Sequence, residues 1–407
     1  MSNLFLALRN IFRNKRRTLI TFSAIVSGIS AIVVFGGFIE FSFQGLKEST
    51  IRTQLGHMQI HKEGFTENGT ANPGDYLIED PERVEDELAS IDALETVTRR
   101  LTFSGLASTG ETTINANVIG VMPGREGGFN DFETITRGFQ LGPDDTEGGI
   151  LGQELAQSLG VEPGDFVMIM TTTHDGVINA IEFEVIGIAR TGSEDFDSVF
   201  IKLPISLVQQ ALNTDAVESL LVLFDPEADE TATRAAVVDA MDRTGLDLEY
   251  RWWEDIAGFY QNVVALYNGI FGVFSIIISL VVLFSIANTL SMSVFERIRE
   301  IGTLRAIGSP RLSVMRMFLA EGLAIGILGG LLGIGIGILL AVVINIAGGI
   351  PMPPPPGQTV GFDALIVIDP GIVAYAFALT VGASVVSSLY PAIVASRLRI
   401  VEALQHS

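Results

Sequence analysis

Long uncharged stretches of apolar residues dominate the pattern along the chain. Four of them cover residues 19–38, 261–295, 322–362 and 371–396, and each reaches the roughly 20 residues that a helix needs to cross a bilayer. A Gly- and Pro-rich break at residues 348–353 limits the third stretch to one crossing. We therefore predict four transmembrane helices, at residues 19–44, 261–291, 317–347 and 371–396.

Residues 45–260 lack such stretches and have the pattern of a folded, mixed α/β body. Alternating and helical periodicities predict its elements. Strands are predicted at residues 57–61, 166–170 and 181–185, and helices at residues 81–88, 153–159 and 231–241. The length suits either one large domain or two subdomains.

Basic residues near the predicted spans set the orientation. Five of them lie within residues 1–18, five lie within residues 292–316, and none lies in the Pro-rich loop at residues 348–370. Because cytoplasmic loops carry the excess of Lys and Arg, both termini and residues 292–316 are predicted to be cytoplasmic. Residues 45–260 then face outward from a plasma (inner) membrane, and residues 397–407 form a cytoplasmic tail.

The first 18 residues predict a short amphipathic helix at the inner membrane surface, because their apolar side chains share one helical face. These are Leu4, Phe5, Leu8, Ile11 and Phe12. A cleaved signal peptide is the alternative. The first span is long for one, and no small-x-small cleavage site precedes Glu40, so we expect an uncleaved anchor.

Charge is divided unevenly between these regions. The chain has 25 basic and 47 acidic residues, and residues 45–260 hold 13 of the basic and 40 of the acidic ones. An acidic outer body repels phosphate groups, so we expect no nucleic-acid partner. With 0 Cys and 4 His, disulfides, Cys-ligated metals and Cys nucleophiles are excluded, and a His-rich metal site is disfavoured.

The common catalytic motifs are also missing. No Lys follows a Gly, so the chain has no P-loop, and it has neither His-Glu-x-x-His nor Gly-x-Ser-x-Gly. His57 and His61 would share a strand face, but no third metal ligand lies nearby. The acidic residues at 194–197 lack the EF-hand spacing and are interpreted as a solvated loop. We predict no catalytic residue, no metal site and no cofactor bound by this chain.

The predicted cytoplasmic loop has the most distinctive pattern. Ile298, Ile301, Leu304 and Ile307 form an apolar stripe at spacings of three, and charges of both signs flank it. Gly308 suits a helix C-cap, and Ser309 and Pro310 suit the N-cap and first turn of the next helix. A turn lying on lipid is the alternative, but mixed charges favour a protein partner over a lipid surface.

The run Glu-Arg-x-Arg-Glu-Ile-Gly-x-Leu-Arg-Ala-Ile-Gly at residues 296–308 resembles the coupling segment of FtsX/MacB-type ABC permeases, also called type VII or mechanotransmitter transporters. The ends at residues 390–397 and 401–404 resemble the same family, although Ile400 stands where that family commonly has Pro. Residues 152–167 are similar to a segment of its outer domain. The layout resembles the LolC/LolE lipoprotein-releasing permeases most closely.

The resemblance implies a four-helix membrane protein with an outer α/β domain of the MacB periplasmic type. It also implies that residues 296–308, here called the coupling segment, dock a separate ATPase. The implied coupling residues are Glu296, Arg297, Arg299, Glu300, Ile301, Thr303, Leu304, Arg305, Ile307 and Gly308. ATP and Mg would bind that ATPase, in two copies, and the other implied partners are a second permease, identical or homologous, an outer acceptor or adaptor protein, and membrane lipid.

Two further patterns concern the spans. Small residues at four-residue spacing predict close helix packing, either within the chain or in a dimer; they are Gly322, Gly326, Gly330 and Gly333. Aromatic residues at the outer end of span one are candidates to line an apolar substrate vestibule, or else face lipid; they are Phe35, Phe38, Phe41 and Phe43. An aromatic cluster at residues 252–260 is predicted to anchor span two at the outer interface.

Three transport-related functions fit the family resemblance. Extraction or release of lipoproteins or lipids agrees best with a stand-alone permease, and the alternatives are MacB-like drug or peptide efflux and FtsX-like control of cell-wall hydrolases. A membrane-anchored receptor or enzyme without an ATPase is the alternative from a different class.

Overall fold

The computed structural model describes residues 15–69, 72–129, 133–173, 175–191, 193–352 and 362–398. The amphipathic helix predicted before Lys15 and the motif at residues 401–404 lie outside these ranges. The chain forms two compact units. One contains the chain up to Gln44, Val263–Met352 and the chain from Asp363 onward, and the other contains Gly45–Asn262.

The helices in the described ranges are α1 Lys15–Thr50, α2 Pro81–Leu88, α3 Gln153–Leu159, α4 Glu194–Asp197, α5 Ile205–Leu212, α6 Glu230–Thr244, α7 Trp253–Ile256, α8 Gly258–Glu296, α9 Ile298–Ala306, α10 Arg311–Ile346 and α11 Pro370–Arg397. The strands are β1 Met58–Lys62, β2 Leu94–Ser108, β3 Thr113–Val121, β4 Thr134–Gly138, β5 Gly148–Gly152, β6 Phe166–Thr172, β7 Ile178–Arg190, β8 Phe200–Pro204, β9 Ser219–Phe224, β10 Leu248–Trp252, β11 Ile350–Met352 and β12 Phe362–Ala364.

Four helices, α1, α8, α10 and α11, are long and apolar enough to cross a membrane, with mean hydropathies of 1.9 to 2.8. Helices α1, α8 and α11 each contain one predicted span and extend beyond it, whereas α10 starts before the predicted residues 317–347 and ends one residue short of them, at Ile346. The shortest, α11, has 28 residues, and at ~1.5 Å per residue it exceeds a ~30 Å hydrocarbon core. The fold class predicted from the sequence, four such helices plus a large α/β domain, is confirmed.

The core of the membrane unit is made by β-branched and Leu side chains from facing helices. Ile25, Ile29 and Ile32 of α1 are fully buried, as are Val282, Ile286 and Leu290 of α8. Their apolar surfaces pack with Ala324 and Ile325 of α10 in one cluster. The lipid-facing residues of the same helices remain exposed in the isolated chain.

Glycines on α10 bring this helix close to two neighbours. A Cβ built at Gly322 would lie 2.5 Å from Ser388 Cβ of α11, and one at Gly333 would lie 2.8 Å from Ile29 Cβ of α1. Gly326 meets Ser384 and Gly330 meets Thr380, so these two also face α11. These glycines therefore pack against other helices of the same chain, on two sides of α10.

The outer unit is built on one large twisted sheet, with strand order β10-β1-β9-β2-β3-β8-β5-β7-β4, and β6 pairs with β2 and β7. The pairs β3–β8 and β5–β7 are parallel. Helices α2 and α6 pack over Met58 and Val222, whereas α3 and α5 pack over a second cluster around Phe183. One compact unit thus contains two main hydrophobic clusters.

Most elements predicted in the outer unit are confirmed. Helices α2 and α3 have the predicted bounds, and α6 extends the predicted residues 231–241 by one residue at its start and three at its end. The predicted turn before β6 is held by Gly160 and Gly164, both at positive φ. The aromatic cluster differs: Trp253 is 3% exposed and packs in a core cluster with Ile51 and Leu223.

Replacing Gly322 with Ala tests the close packing of α10. The added methyl has no room beside Ser388, so we expect the free energy of unfolding to fall by about 1–3 kcal/mol, as overpacked cores do. Gly335→Ala is the matched control, because a Cβ there meets no atom within 4 Å. Thermal unfolding in detergent measures both variants; equal midpoints would contradict the packing described here.

Candidate functional site

The coupling segment forms a short helix between two sharp corners. Helix α8 ends at Glu296, Arg297 leaves helical geometry at φ −115° and ψ 15°, and α9 begins at Ile298. Helix α9 then ends in a Schellman motif, in which the Ser309 N–H donates to Leu304 O and the Gly308 N–H donates to Arg305 O, both at 3.1 Å. Gly308 permits this turn because its φ is +98°.

The start of the next helix differs from the prediction by one position. Pro310 is the N-cap of α10, with ψ 153°, and Arg311 is its first residue. Ser309 was predicted as the N-cap, but its N–H closes the preceding Schellman motif, so it belongs to the end of α9. The corner itself lies where the Gly308-Ser309-Pro310 pattern predicted it.

The apolar stripe of α9 is divided between the interior and the surface. Ile298 and Ile301 are 8% and 1% exposed, whereas Leu304 and Ile307 are 43% and 80% exposed. Ile301 packs in a cluster with Phe318 of α10 and Ala392 of α11. Ile301 was predicted among the coupling residues; its side chain is covered by this chain's own helices, because these small and aromatic neighbours form a pocket around it.

Arg297 is also buried, in contrast to the exposed flanking charge that the sequence predicted. Its Nη1 lies 3.4 Å from Glu321 Oε2 of α10, and its Nε lies 3.9 Å from Glu300 Oε2. Arg297 and Glu321 are 6% and 4% exposed. Because each buried charge needs an opposite partner, this pair fixes the first turn of α9 to α10.

Arg305 joins the other end of α9 to the last helix. Its Nη1 donates to Ser396 O at 3.2 Å and to Leu398 O at 2.8 Å. These carbonyls belong to the C-terminal end of α11, where backbone acceptors lack helical partners and a cation is favourable. Arg305, like Arg297 and Ile301, therefore positions the coupling segment rather than extending its outer surface.

The other predicted coupling residues form the surface that the segment presents. They are exposed and carry both signs of charge around two apolar side chains: Glu296, Arg299, Glu300, Thr303, Leu304, Ile307 and Gly308. An exposed apolar pair inside a ring of mixed charge is the composition of a protein docking surface.

The predicted vestibule residues lie along the contact between α1 and α8. Phe35 is half-buried and meets Phe274 edge-to-face, with ring centroids 5.2 Å apart. Phe43 meets Tyr267 at 6.2 Å, and Phe38 stacks on Phe35 at 6.4 Å. Phe41 is half-buried as well. These rings therefore close the outer part of the α1–α8 contact.

His61 on β1 and His57 immediately before it both contact other residues of the outer unit. His57 Nδ1 accepts the Phe224 N–H at 3.1 Å, and the two rings stack at 4.6 Å. His61 contacts Glu218 O through Nδ1 at 3.2 Å and stacks on Phe65. Burial lowers the pKa of His61 to about 4 and also lowers the pKa of His57. Both rings are thus neutral at neutral pH; His61 is buried and His57 is half-buried.

The acidic loop predicted at residues 194–197 forms the short helix α4. Asp197 is 1% exposed and accepts hydrogen bonds from the Thr191 N–H at 3.0 Å and from Thr191 Oγ1 at 2.5 Å. This carboxylate therefore fixes the chain between β7 and α4 instead of being solvated.

Two family profiles match the sequence. The MacB-like periplasmic core domain matches residues 18–240, and the FtsX-like permease C-terminal region matches residues 272–400. The first match alone covers more than half of the 407 residues. The chain belongs to the MacB-like family. It is an ABC transporter permease of the MacB, FtsX and LolC type, a multi-pass membrane protein with an extracytoplasmic domain, as the resemblance of residues 296–308 implied.

Three curated relatives illustrate the range of this family. The uncharacterized ABC transporter permease YknZ of Bacillus subtilis is 24% identical over 364 residues, which cover 86% of this chain and 89% of YknZ. The lipoprotein-releasing system transmembrane protein LolC of Neisseria meningitidis is 28% identical over 273 residues, covering 63% of this chain and 64% of LolC.

The third relative is the macrolide export ATP-binding/permease protein MacB of Psychrobacter cryohalolentis. It is 29% identical over 180 residues, which cover 42% of this chain and 27% of MacB. The permease thus matches most of YknZ and about a quarter of this MacB.

Breaking the Arg297–Glu321 pair tests whether it fixes the coupling segment. Glu321→Ala leaves the buried guanidinium with only the exposed Glu300, 3.9 Å away, as an ion-pair partner among the described residues, so we expect a loss in the free energy of unfolding near the lower end of the roughly 3–5 kcal/mol that breaking a buried pair costs. The exchange Arg297→Glu with Glu321→Arg should recover part of this loss, and Arg299→Ala on the exposed side of α9 should change it little. Thermal unfolding in detergent is the measurement, and a stable Glu321→Ala variant would contradict the assignment.

Proposed function

We propose that this permease receives motion from an ATPase through the coupling segment and transmits it to its outer domain, in order to extract or release lipoproteins or lipids from the plasma (inner) membrane. The observation that carries the proposal is the division of α9. One face of the segment is fixed to α10 and α11 by Arg297, Ile301 and Arg305. The other face exposes Leu304 and Ile307.

A segment built in this way acts as a rigid lever. Its exposed face offers a docking surface for a nucleotide-binding subunit, which would bind ATP and Mg and, in two copies, undergo ATP-driven closure. Its buried face makes three separate contacts with α10 and α11: an ion pair, apolar packing and hydrogen bonds. Displacement of Leu304 and Ile307 would therefore move both helices, and this route needs no substrate path through the bilayer.

In this proposal both termini and the coupling segment are cytoplasmic, and residues 45–260 are extracytoplasmic. A second permease, identical or homologous, completes the transporter, and an outer acceptor or adaptor protein receives the cargo. The Lys and Arg excess of residues 1–18 and 292–316 supports this orientation.

Lipoprotein or lipid cargo is supported by the similarity to LolC and by the aromatic rings of α1. Each buried CH₂ of an acyl chain contributes about 0.8 kcal/mol to membrane anchoring, so release of several chains requires an apolar shelter. Phe35, Phe38 and Phe43 pack against α8 or each other in the closed arrangement. Separation of α1 from α8 would free these rings to line such a vestibule.

The coupling role is tested by changing only the exposed face of the coupling segment. Leu304→Asp with Ile307→Asp should prevent stable association with the ATPase, because two charges replace the apolar centre of the docking surface. Loss of at least ten-fold in ATPase activity that co-purifies with the permease is expected. Leu304→Met with Ile307→Val keeps the surface apolar and should retain the activity. Unchanged co-purification of the doubly charged variant would end this part of the proposal.

The cargo route is tested by locking α1 to α8. The native chain has 0 Cys, and a Cβ at Gly28 would lie 2.9 Å from Ile278 Cγ2, so Gly28→Cys with Ile278→Cys places two thiols within bonding reach. The oxidised transporter should hydrolyse ATP but release no acylated protein from proteoliposomes, and reduction should restore release. Each single Cys variant is the control. Full release by the oxidised pair would rule out opening between these helices.

Macrolide-type efflux is the second candidate, supported by the similarity to MacB. The same proteoliposomes distinguish the two. Release of acylated protein without export of an added macrolide supports the first candidate, and the reverse result supports the second.

A further inference from the structure

The outer unit contains a cavity of about 260 Å³ on one face of its large sheet. Several strands of the sheet provide its floor: His61 comes from β1, Arg100 from β2, and Lys202 from β8. Arg100 is paired in register with Ser219 at the start of β9, which brings both residues to the same part of the floor. Most floor residues of the cavity are buried, so polar groups here have limited access to water.

The two cations of the cavity are already neutralised. Arg100 Nη1 and Nη2 lie 2.5 and 2.9 Å from the two oxygens of Glu126, and Lys202 Nζ lies 2.5 Å from Glu133 Oε1. All four side chains are at most 10% exposed. Together they contribute no net charge, so the electrostatic character of the cavity depends on its remaining groups.

Two of the remaining polar residues, Glu218 and Ser219, provide acceptors without a full set of partners. Glu218 Oε2 accepts from the Thr102 N–H at 2.9 Å and from Thr102 Oγ1 at 2.5 Å, but Glu218 Oε1 has no hydrogen bond among the described residues. The Ser219 hydroxyl is likewise without a partner in the described chain, although its side chain is 5% exposed and lines the cavity. Burial raises the pKa of Glu218, and the two hydrogen bonds from Thr102 oppose this shift only in part.

The walls beside these acceptors are apolar or neutral. Phe65 stacks on the His61 ring with centroids 4.2 Å apart, and Phe129 and Phe200 also line the cavity. His61 is neutral because burial lowers its pKa to about 4. One carboxylate with a free oxygen thus stands beside a buried hydroxyl and aromatic surfaces, and an apolar stem with a cationic head matches this arrangement.

We propose that this cavity binds a primary ammonium group on a short aliphatic stem, with Glu218 and Ser219 as its acceptors. The ammonium donates to Glu218 Oε1 and to Ser219 Oγ, and the stem packs on Phe65 and its neighbours. Such a group is present in a free small amine and in a lysine side chain of a polypeptide. The site is independent of the cargo proposed above, because it lies wholly within the outer unit and requires no ATPase.

Isothermal titration calorimetry of the full chain in detergent tests the site with n-butylammonium, and n-butanol is the neutral comparison. We expect saturable binding of n-butylammonium and none of n-butanol. Glu218→Gln should weaken the binding at least ten-fold, since it removes the charge and keeps the shape. Glu182→Gln, at an exposed carboxylate on β7, should leave it unchanged.

Ser219→Val is the second variant, and it fills part of the cavity without altering any charge. Its binding should also fall at least ten-fold, which keeps the test decisive if Glu218→Gln unfolds. A blocked Gly-Lys-Gly peptide separates the two sources: tighter binding than n-butylammonium indicates a polypeptide lysine, and weaker binding indicates a free amine. Absence of n-butylammonium binding, or equal binding by both cavity variants, would overturn the proposal.

Discussion

The coupling segment depends on a buried ion pair that fixes it to the membrane unit. Arg297 and Glu321 are almost fully covered, and removal of either would leave a charge that the interior does not solvate. The pair therefore fixes the corner after α8 to α10. Ile301 adds an apolar attachment and Arg305 adds a cap on α11. In the proposed mechanism, these contacts make the coupling segment move as one body with two membrane helices.

Buried ion pairs also occur in the outer unit. Arg100–Glu126 and Lys202–Glu133 join the sheet face to the segment that follows β3, and Phe129 of that segment adds an apolar contact in the cluster of Leu221 and Leu223. Away from the Arg297–Glu321 pair, the helices of the membrane unit pack through glycine contacts, because lipid gives them no hydrophobic reason to associate. Each unit is therefore fixed by the contacts that its surroundings favour.

Periodicity and length predicted much of this fold from the sequence. Four apolar helices, the α/β body and the corner at Gly308 followed from local rules that depend on neighbouring residues alone. The inward direction of Arg297 and Ile301 did not, because a period of three marks a stripe without stating which part of it is covered. Glu321, alone in an apolar span, was the available signal, since an intramembrane acid requires a partner. The capping by Arg305 depends on contacts between distant segments, and no local pattern encodes it.

The central claim, that α9 and the ends of the membrane helices form one rigid body, is tested by a distance measurement. Spin labels at Thr303→Cys on α9 and Tyr390→Cys on α11, both exposed, report the separation by pulsed electron resonance in the assembled transporter. The account predicts the same single distance without nucleotide, with ATP and during turnover. A second distance shifted by about 5 Å, the size of a one-turn helix displacement, would contradict it.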